Sequence, residues 1–271
     1  MIVNTRMYSV APAAKAAWRE LLEWILERAN VRMEFVDQEP PATLADLWSR
    51  GDLGVAMMCG LPYSHRKPRP LLLAAPVPTP ERYANRAVYF TDVAVRADSP
   101  FQKLEDTFGH VVGYTLTDSM SGCVALRRHL LAFRKAPHHN PGGKPIYSKV
   151  VGELVNARGI IQALIDRRID VGPLDGYVFD LIGHNDPAFA ANVRIVAQTD
   201  AAPMPPLIAT AALDPDTVGR LRSAFAAVEH ASELAQARST LLLRRFAVPE
   251  PSSYDVFHGI QESADRYAGV W

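Results

Sequence analysis

Apolar positions along the first sixty residues alternate between two periods. Ile2 to Tyr8 predicts a short strand, and Pro12 suits the first turn of a helix, where a missing N–H costs nothing. Between Ala13 and Arg28, residues Ala17, Leu21, Trp24 and Ile25 recur at helical spacing. Arg32 to Val36 predicts a second strand. Pro40-Pro41 interrupts the chain, Thr43 is placed to cap a helix reaching Trp48, and Gly51 closes it. Asp52 to Met58 predicts a third, buried strand, followed by a loop from Cys59 to His65. This β-α-β-α-β order predicts a parallel sheet with helices on its faces.

The five prolines from Pro68 to Pro80 mark Leu71 to Ala75 as an edge or crossing strand rather than a helix. A second alternation follows. Strands are expected at Tyr89–Arg96, His110–Tyr114, Ile146–Val151, Ile169–Gly172 and Val193–Ala197. Helices are expected at Phe101–Phe108, from Ser119 or Ser121 to Phe133, at Asn156–Arg167 and at Leu174–Ile182. A polar loop from Lys135 to Lys144 includes His138-His139, read as solvated surface. Thr199 to Pro206 is a crossover and Leu207 to Thr210 one more strand. Beyond it helices alone are expected: from Asp214 or Asp216 to Val228, from Ser232 to Leu243, and from Ser252 or Ser253 onward. No solenoid-type repeat is visible. The pattern predicts an α/β fold of two Rossmann-like lobes joined by a two-segment hinge. Residues 1–91 with 200–271 form the first lobe and 92–199 the second, with the C-terminal helices packing on the first.

Composition narrows the class. Hydrophobic residues at 48% and charged residues at 21% suit a globular chain rather than a disordered one. Lys+Arg and Asp+Glu balance at 29 each, and the pI near 7.1 lacks the basic footprint of a nucleic-acid binder. No apolar run approaches the ~18 residues of a membrane span, so a soluble chain without membrane insertion is expected, and separately it is expected to be a monomer. Cys59 and Cys123 cannot build a disulfide framework. A charged segment followed by an apolar one is not visible at the start of the sequence. The chain is therefore expected in the periplasm if an export signal was removed, and otherwise in the cytoplasm.

In open parallel sheets ligands sit beyond the C-terminal strand ends, where helix N-termini point, and two facing lobes would enclose a cleft. The sharpest such loop is Thr117-Asp118-Ser119-Met120-Ser121-Gly122. Hydroxyls, small residues and a glycine opening a helix suit an oxyanion, with Ser119 or Ser121 as a plain N-cap the competing reading. In the loop after the third strand, Gly60 permits close backbone approach and Tyr63 offers a hydroxyl. Cys59 with His65 suggests a nucleophile and base or two metal ligands, but no further ligand cluster accompanies them. Tyr8 and Ser9 stand where the first strand enters its helix. Glu153 follows another strand and would meet a ligand amine or favour a helix start, and Asp175 is placed to cap the helix containing Tyr177. There is no GxGxxG, Walker loop or HExxH.

At these loops the sequence resembles the phosphate/phosphonate-type substrate-binding proteins of ABC transporters, which have the type II periplasmic binding protein fold. The stretches concerned are Met7-Tyr8, Cys59-Gly60-Leu61-Pro62, Asp118-Ser119-Met120-Ser121-Gly122 and Ile169 to Asp175. Tyr89 to Ser99, with its Val-Arg-Ala-Asp-Ser passage, looks like the start of the family's second lobe. Gln198-Thr199 with Pro203 to Pro206 looks like the return crossing, so the resemblance covers nearly the whole chain in order. It implies that Ser119, Ser121 and Gly122 grip a phosphonate or phosphate, with Tyr8 and Tyr63 approaching from the other lobe. Where many relatives carry glycine-x-histidine this chain has Gly152-Glu153-Leu154, and Met120 replaces a small or polar residue, which favours a ligand with an apolar part. The expected function is capture of a small anionic ligand for an ABC transporter permease, with no cofactor, metal or catalytic group. Competing readings are an enzyme on the same scaffold, using Cys59, His65, Glu153 and Asp175, or a cytoplasmic sensor.

Overall fold

A computed structural model describes residues 1–38, 42–135, 145–210, 213–266 and 271. Pro40-Pro41 and the loop holding His138-His139 lie outside the described residues. The chain divides into two compact units, Met1–Val88 with Pro203–Tyr254, and Tyr89–Ala202 with Asp255–Trp271.

The first unit opens with β1 (Ile2–Asn4), α1 (Pro12–Arg28), β2 (Glu34–Phe35), α2 (Leu44–Ser49), β3 (Leu53–Met57), α3 (Gly60–His65) and β4 (Leu71–Pro78). After β5 (Val88–Tyr89), where the chain leaves this unit, come β6 (Thr91–Arg96), β7 (Val111–Gly113), a π-helical turn (Met120–Val124) and α4 (Ala125–Lys135). The second unit continues through β8 (Lys149–Val151), α5 (Ala157–Ile165), β9 (Val171–Asp175), α6 (Gly176–Asn185), α7 (Pro187–Ala190) and β10 (Val193–Gln198). The return passes through β11 (Ala202–Pro203) to β12 (Leu207–Ala209), α8 (Pro215–Ala227), α9 (Ala235–Thr240) and β13 (Leu243–Ala247). The last helix, α10 (Val256–Asp265), belongs to the second unit.

The expected α/β architecture is present, but neither sheet is wholly parallel. In the first unit the strand order is β13-β4-β12-β3-β1-β2. β1 lies parallel to β2 and β3, as the opening alternation requires, whereas β12, β4 and β13 run antiparallel to their neighbours. In the second unit the order is β10-β6-β9-β7-β8, with β7 parallel to β8 and β9, and β6 antiparallel to β9 and β10.

β4 is an inner strand, not an edge, and its register explains how it carries prolines. Leu71, Leu72 and Ala74 pair with β12, while Ala75 to Pro78 pair with β13. Pro76 and Pro78 therefore fall in the half paired on one side, where a missing N–H breaks no ladder bond on the other. The segment from Cys59 to His65, expected as a loop, is largely helical. Pro62 sits in the first turn of α3, whose N–H groups lack intrahelical partners anyway. The single strand expected at Tyr89–Arg96 is broken at Phe90 into β5 and β6.

Two expectations for the C-terminal third are corrected. The helix expected to reach Leu243 ends at Thr240, and β13 follows it with Phe246 packed against Trp18 and Phe225. A register shift between Leu243 and Arg245 breaks the two-residue period by which a strand is recognised. α8 and α9 pack on α1, as expected. α10 instead packs on α4 and the π-helical turn, burying Phe257 and Ala264 completely. Arg127 on α4 donates to Asp265 Oδ1 (2.9 Å) and to the Ala264 carbonyl (3.0 Å). Trp271 stacks on Tyr114 with ring centroids 5.9 Å apart, and its carbonyl accepts from the Ile146 N–H.

The second unit's core gathers Val93, Val95, Val112, Leu126, Leu130 and Val171 between sheet and helices. Among the described residues no helix is long and apolar enough to cross a membrane. Leu126 is fully buried at the start of α4. Leu126→Ala should lower unfolding stability by about 2–5 kcal/mol, read from urea denaturation, because a cavity replaces packed methyl groups.

Candidate functional site

Beyond the C-terminal end of β7 the chain turns at Thr115 and enters the π-helical turn that leads into α4. Thr117 and Asp118 are exposed, Ser119 is half-buried, and Met120, Ser121 and Gly122 are buried. Ser119 is the N-cap: its Oγ accepts from the Gly122 N–H (3.1 Å) and its carbonyl from the Val124 N–H (3.1 Å). Of the N–H groups that open this turn, the cap side chain engages that of Gly122, while that of Val124 makes an ordinary i to i−5 bond of the π-helix. The extra residue per turn of a π-helix is a feature frequent at functional positions.

Gly122 is dictated by space. A Cβ there would lie 1.8 Å from Thr115 Oγ1 and 2.8 Å from Ser119 Oγ. The Thr115 N–H also donates to the Gly122 carbonyl (3.0 Å), closing the turn on itself.

Ser121 does not cap the helix. Its Oγ–H donates to Asp175 Oδ2 (3.1 Å), and its carbonyl accepts from Thr91 Oγ1 (3.0 Å). Asp175 Oδ1 accepts from the N–H groups of Tyr177 and Val178 (both 3.0 Å), so the carboxylate caps α6 as expected. Removal from water pushes the Asp175 carboxyl up to about 7. That effect outweighs the helix-cap and Ser121 hydrogen bonds, and Asp92 adds a smaller push in the same direction. Tyr177 is fully buried, and burial likewise raises its phenol far above the ordinary value.

Thr91 and Asp92 were not singled out from the sequence, yet they support this site. In the β6–β9 pairing Thr91 stands opposite Asp175. The Thr91 N–H donates to Thr199 Oγ1 (3.0 Å), and Gln198 Nε2 donates to buried Asp92 (3.0 Å). The available signal was two polar residues opening the otherwise apolar strand Val93-Ala94-Val95.

The loop after β8 lies beside this turn because β8 pairs with β7. Leu154 N–H donates to the Tyr114 carbonyl (3.1 Å), and a Cβ on Gly152 would strike Tyr114 Oη at 2.2 Å. Glu153 is exposed at φ 53° and Val155 adopts φ 68°, a left-handed conformation unfavourable for a β-branched residue. Asn156 caps α5 through the Gly159 N–H.

The remaining sequence-derived residues belong to the first unit. Tyr8 is buried, and its hydroxyl donates to Met204 Sδ (3.6 Å). Ser9 does not cap α1: its Oγ donates to the Thr5 carbonyl (2.7 Å), and Ala11 occupies the N-cap of that helix. Cys59 stands at the N-cap of α3 and Gly60 is its first residue. Tyr63 is buried edge-on against Tyr254 with ring centroids 5.0 Å apart. Among the described residues no group of three or more His, Cys, Asp or Glu side chains is placed to hold a metal.

The profile of the family described as the phosphonate periplasmic substrate-binding proteins of ABC transporters matches residues 9–254. The chain belongs to this family. Its fold is similar to that of a binding-protein component of a phosphonate ABC transporter from Pseudomonas aeruginosa, at TM-score 0.78 and 13% identity, covering 98% of this chain and 87% of that one. PhnD1 of Prochlorococcus marinus, solved with methylphosphonate, is similar at TM-score 0.76 and 14% identity over 98% of both chains. XAC2383 of Xanthomonas citri, solved with ATP, is similar at TM-score 0.63 and 19% identity over 98% and 97%. No curated protein matches the sequence. The family is a substrate-binding component of transporters, and the two-unit α/β architecture is that of periplasmic binding proteins.

Gly122→Ala should distort the turn and destabilise the protein by about 1–3 kcal/mol, the usual range for overpacking. Adding Thr115→Ala removes the Oγ1 clash and should recover part of that loss. A double-mutant cycle from thermal unfolding checks the coupling between the two positions.

Proposed function

We propose that this chain binds a small phosphonate-like oxyanion at residues 117–122 of its second unit and delivers it in the periplasm to the permease of an ABC transporter. The observation that carries the reading is the buried Ser121-Gly122 pair at the helix start to which the loop after a parallel strand leads. A hydroxyl and a side-chain-free backbone meet there, at the end of a helix that carries about half a positive charge. The family match and the methylphosphonate held by a protein of similar fold support a phosphonate over other anions.

Charge-assisted hydrogen bonds from a hydroxyl and a helix start suffice for an oxyanion without a paired cation, since they are about twice as strong as neutral ones. A chain of zero net charge is therefore compatible with anion capture, because the local field comes from backbone dipoles.

A thermal-shift series with methylphosphonate, phosphate, methanesulfonate and benzoate tests the reading. Methylphosphonate at roughly 100 times its Kd should add about 2.7 kcal/mol of stability, with a smaller shift for the other anions. No shift with any of the four overturns the reading.

A further inference from the structure

The hydrogen bond between Ser121 and Asp175 has a direction, and the direction matters for an anion. A serine hydroxyl has one hydrogen to donate. With Asp175 ionised, that hydrogen goes to Asp175 Oδ2 and only lone pairs are left to face an oxyanion. Ionised Asp175 also adds a like charge beside the proposed ligand.

The other carboxylate oxygen is already committed. Oδ1 accepts both N–H groups that open α6, so a proton on Asp175 belongs on Oδ2, facing Ser121. In the acid form Oδ2–H donates to Ser121 Oγ, and the serine hydrogen is released. The Ser121 backbone stays in place throughout, because Thr91 Oγ1 holds its carbonyl from β6. We propose that Ser121 donates to the ligand only when Asp175 is in its acid form, so that anion capture carries one proton into the Ser121–Asp175 pair. This proposal rests on the binding reading above and names the group that tunes it.

The surroundings of Asp175 are consistent with a neutral acid. Asp92 of β6 faces it with a like charge, and α6 brings the Tyr177 phenol with Asp180 beyond it. α5 approaches β9 with Ile160 beside Gly172, and β7 pairs with it through Val112. Arg158 of α5 is turned to Asp186 at 2.8 Å. Burial pushes the carboxyl up to about 7, and a bound anion shifts it further toward the acid form. Affinity is therefore fully expressed below that value and declines as pH rises through it.

Titration calorimetry of methylphosphonate against the wild-type protein and Asp175→Asn, from about pH 5.5 to 9, tests the proposal. The asparagine keeps an oxygen for capping α6 and presents N–H to Ser121 Oγ, reproducing the acid form at every pH. The ligand's own titration is common to both proteins and cancels in the ratio of their Kd values. That ratio should climb toward tenfold per pH unit above about pH 7, with the variant binding more tightly in alkali. Ser121→Ala, compared with the wild type in the same way, should bind more weakly below about pH 7, the gap closing as pH rises and the wild type loses its donor, while the like charge of Asp175 cancels in the ratio. A ratio that stays flat while both proteins bind overturns the proton coupling and leaves the binding reading standing. Absence of methylphosphonate binding by the wild type at about pH 6 overturns both. If the asparagine variant does not fold, the serine variant decides by the same criterion.

Discussion

One carboxylate ties together two helix starts in the second unit. Asp175 uses one oxygen to cap α6 and the other to hold Ser121 in the π-helical turn that opens α4. Burying a carboxyl is unfavourable unless it is well hydrogen-bonded, and here both oxygens are engaged. The consequence is local rigidity. The backbone of Ser121 is fixed by Thr91, the turn closes through Thr115 and Gly122, and Ser119 seals the cap. A turn so constrained has little conformational freedom left to lose.

Where the sequence spoke clearly, it did so through periodicity and local chemistry. α1, α2 with its Thr43 cap, the parallel trio of β1, β2 and β3, and the capping role of Asp175 follow from patterns contained within a few residues. Strand direction was less legible. A helix between two strands announces a parallel neighbour, but nothing local announces that Leu207–Ala209 returns antiparallel between β3 and β4. β13 was hidden by its bulge, and the place of α10 depended on partners more than a hundred residues away, notably Arg127.

At the candidate site, residue types picked out a helix start but not its internal wiring. Serines beside a glycine after a strand identify a helix start. Which serine caps and which faces a carboxylate depends on the pairing of β6 with β9, which sets Thr91 opposite Asp175. Ser9 shows the opposite case. It has the residue type of a cap, but the short turn before α1 leaves its hydroxyl closer to Thr5 than to the helix.

The return of residues 255–271 to the second unit bears on how the protein is made. The chain passes between units after Val88, Ala202 and Tyr254, so neither unit is a continuous stretch. During synthesis from the N-terminus, the first unit waits for β13, and the second for α10 and the ring of Trp271 against Tyr114. Until these late segments arrive, β4 lacks its pairing with β13 and α4 lacks the cover of α10.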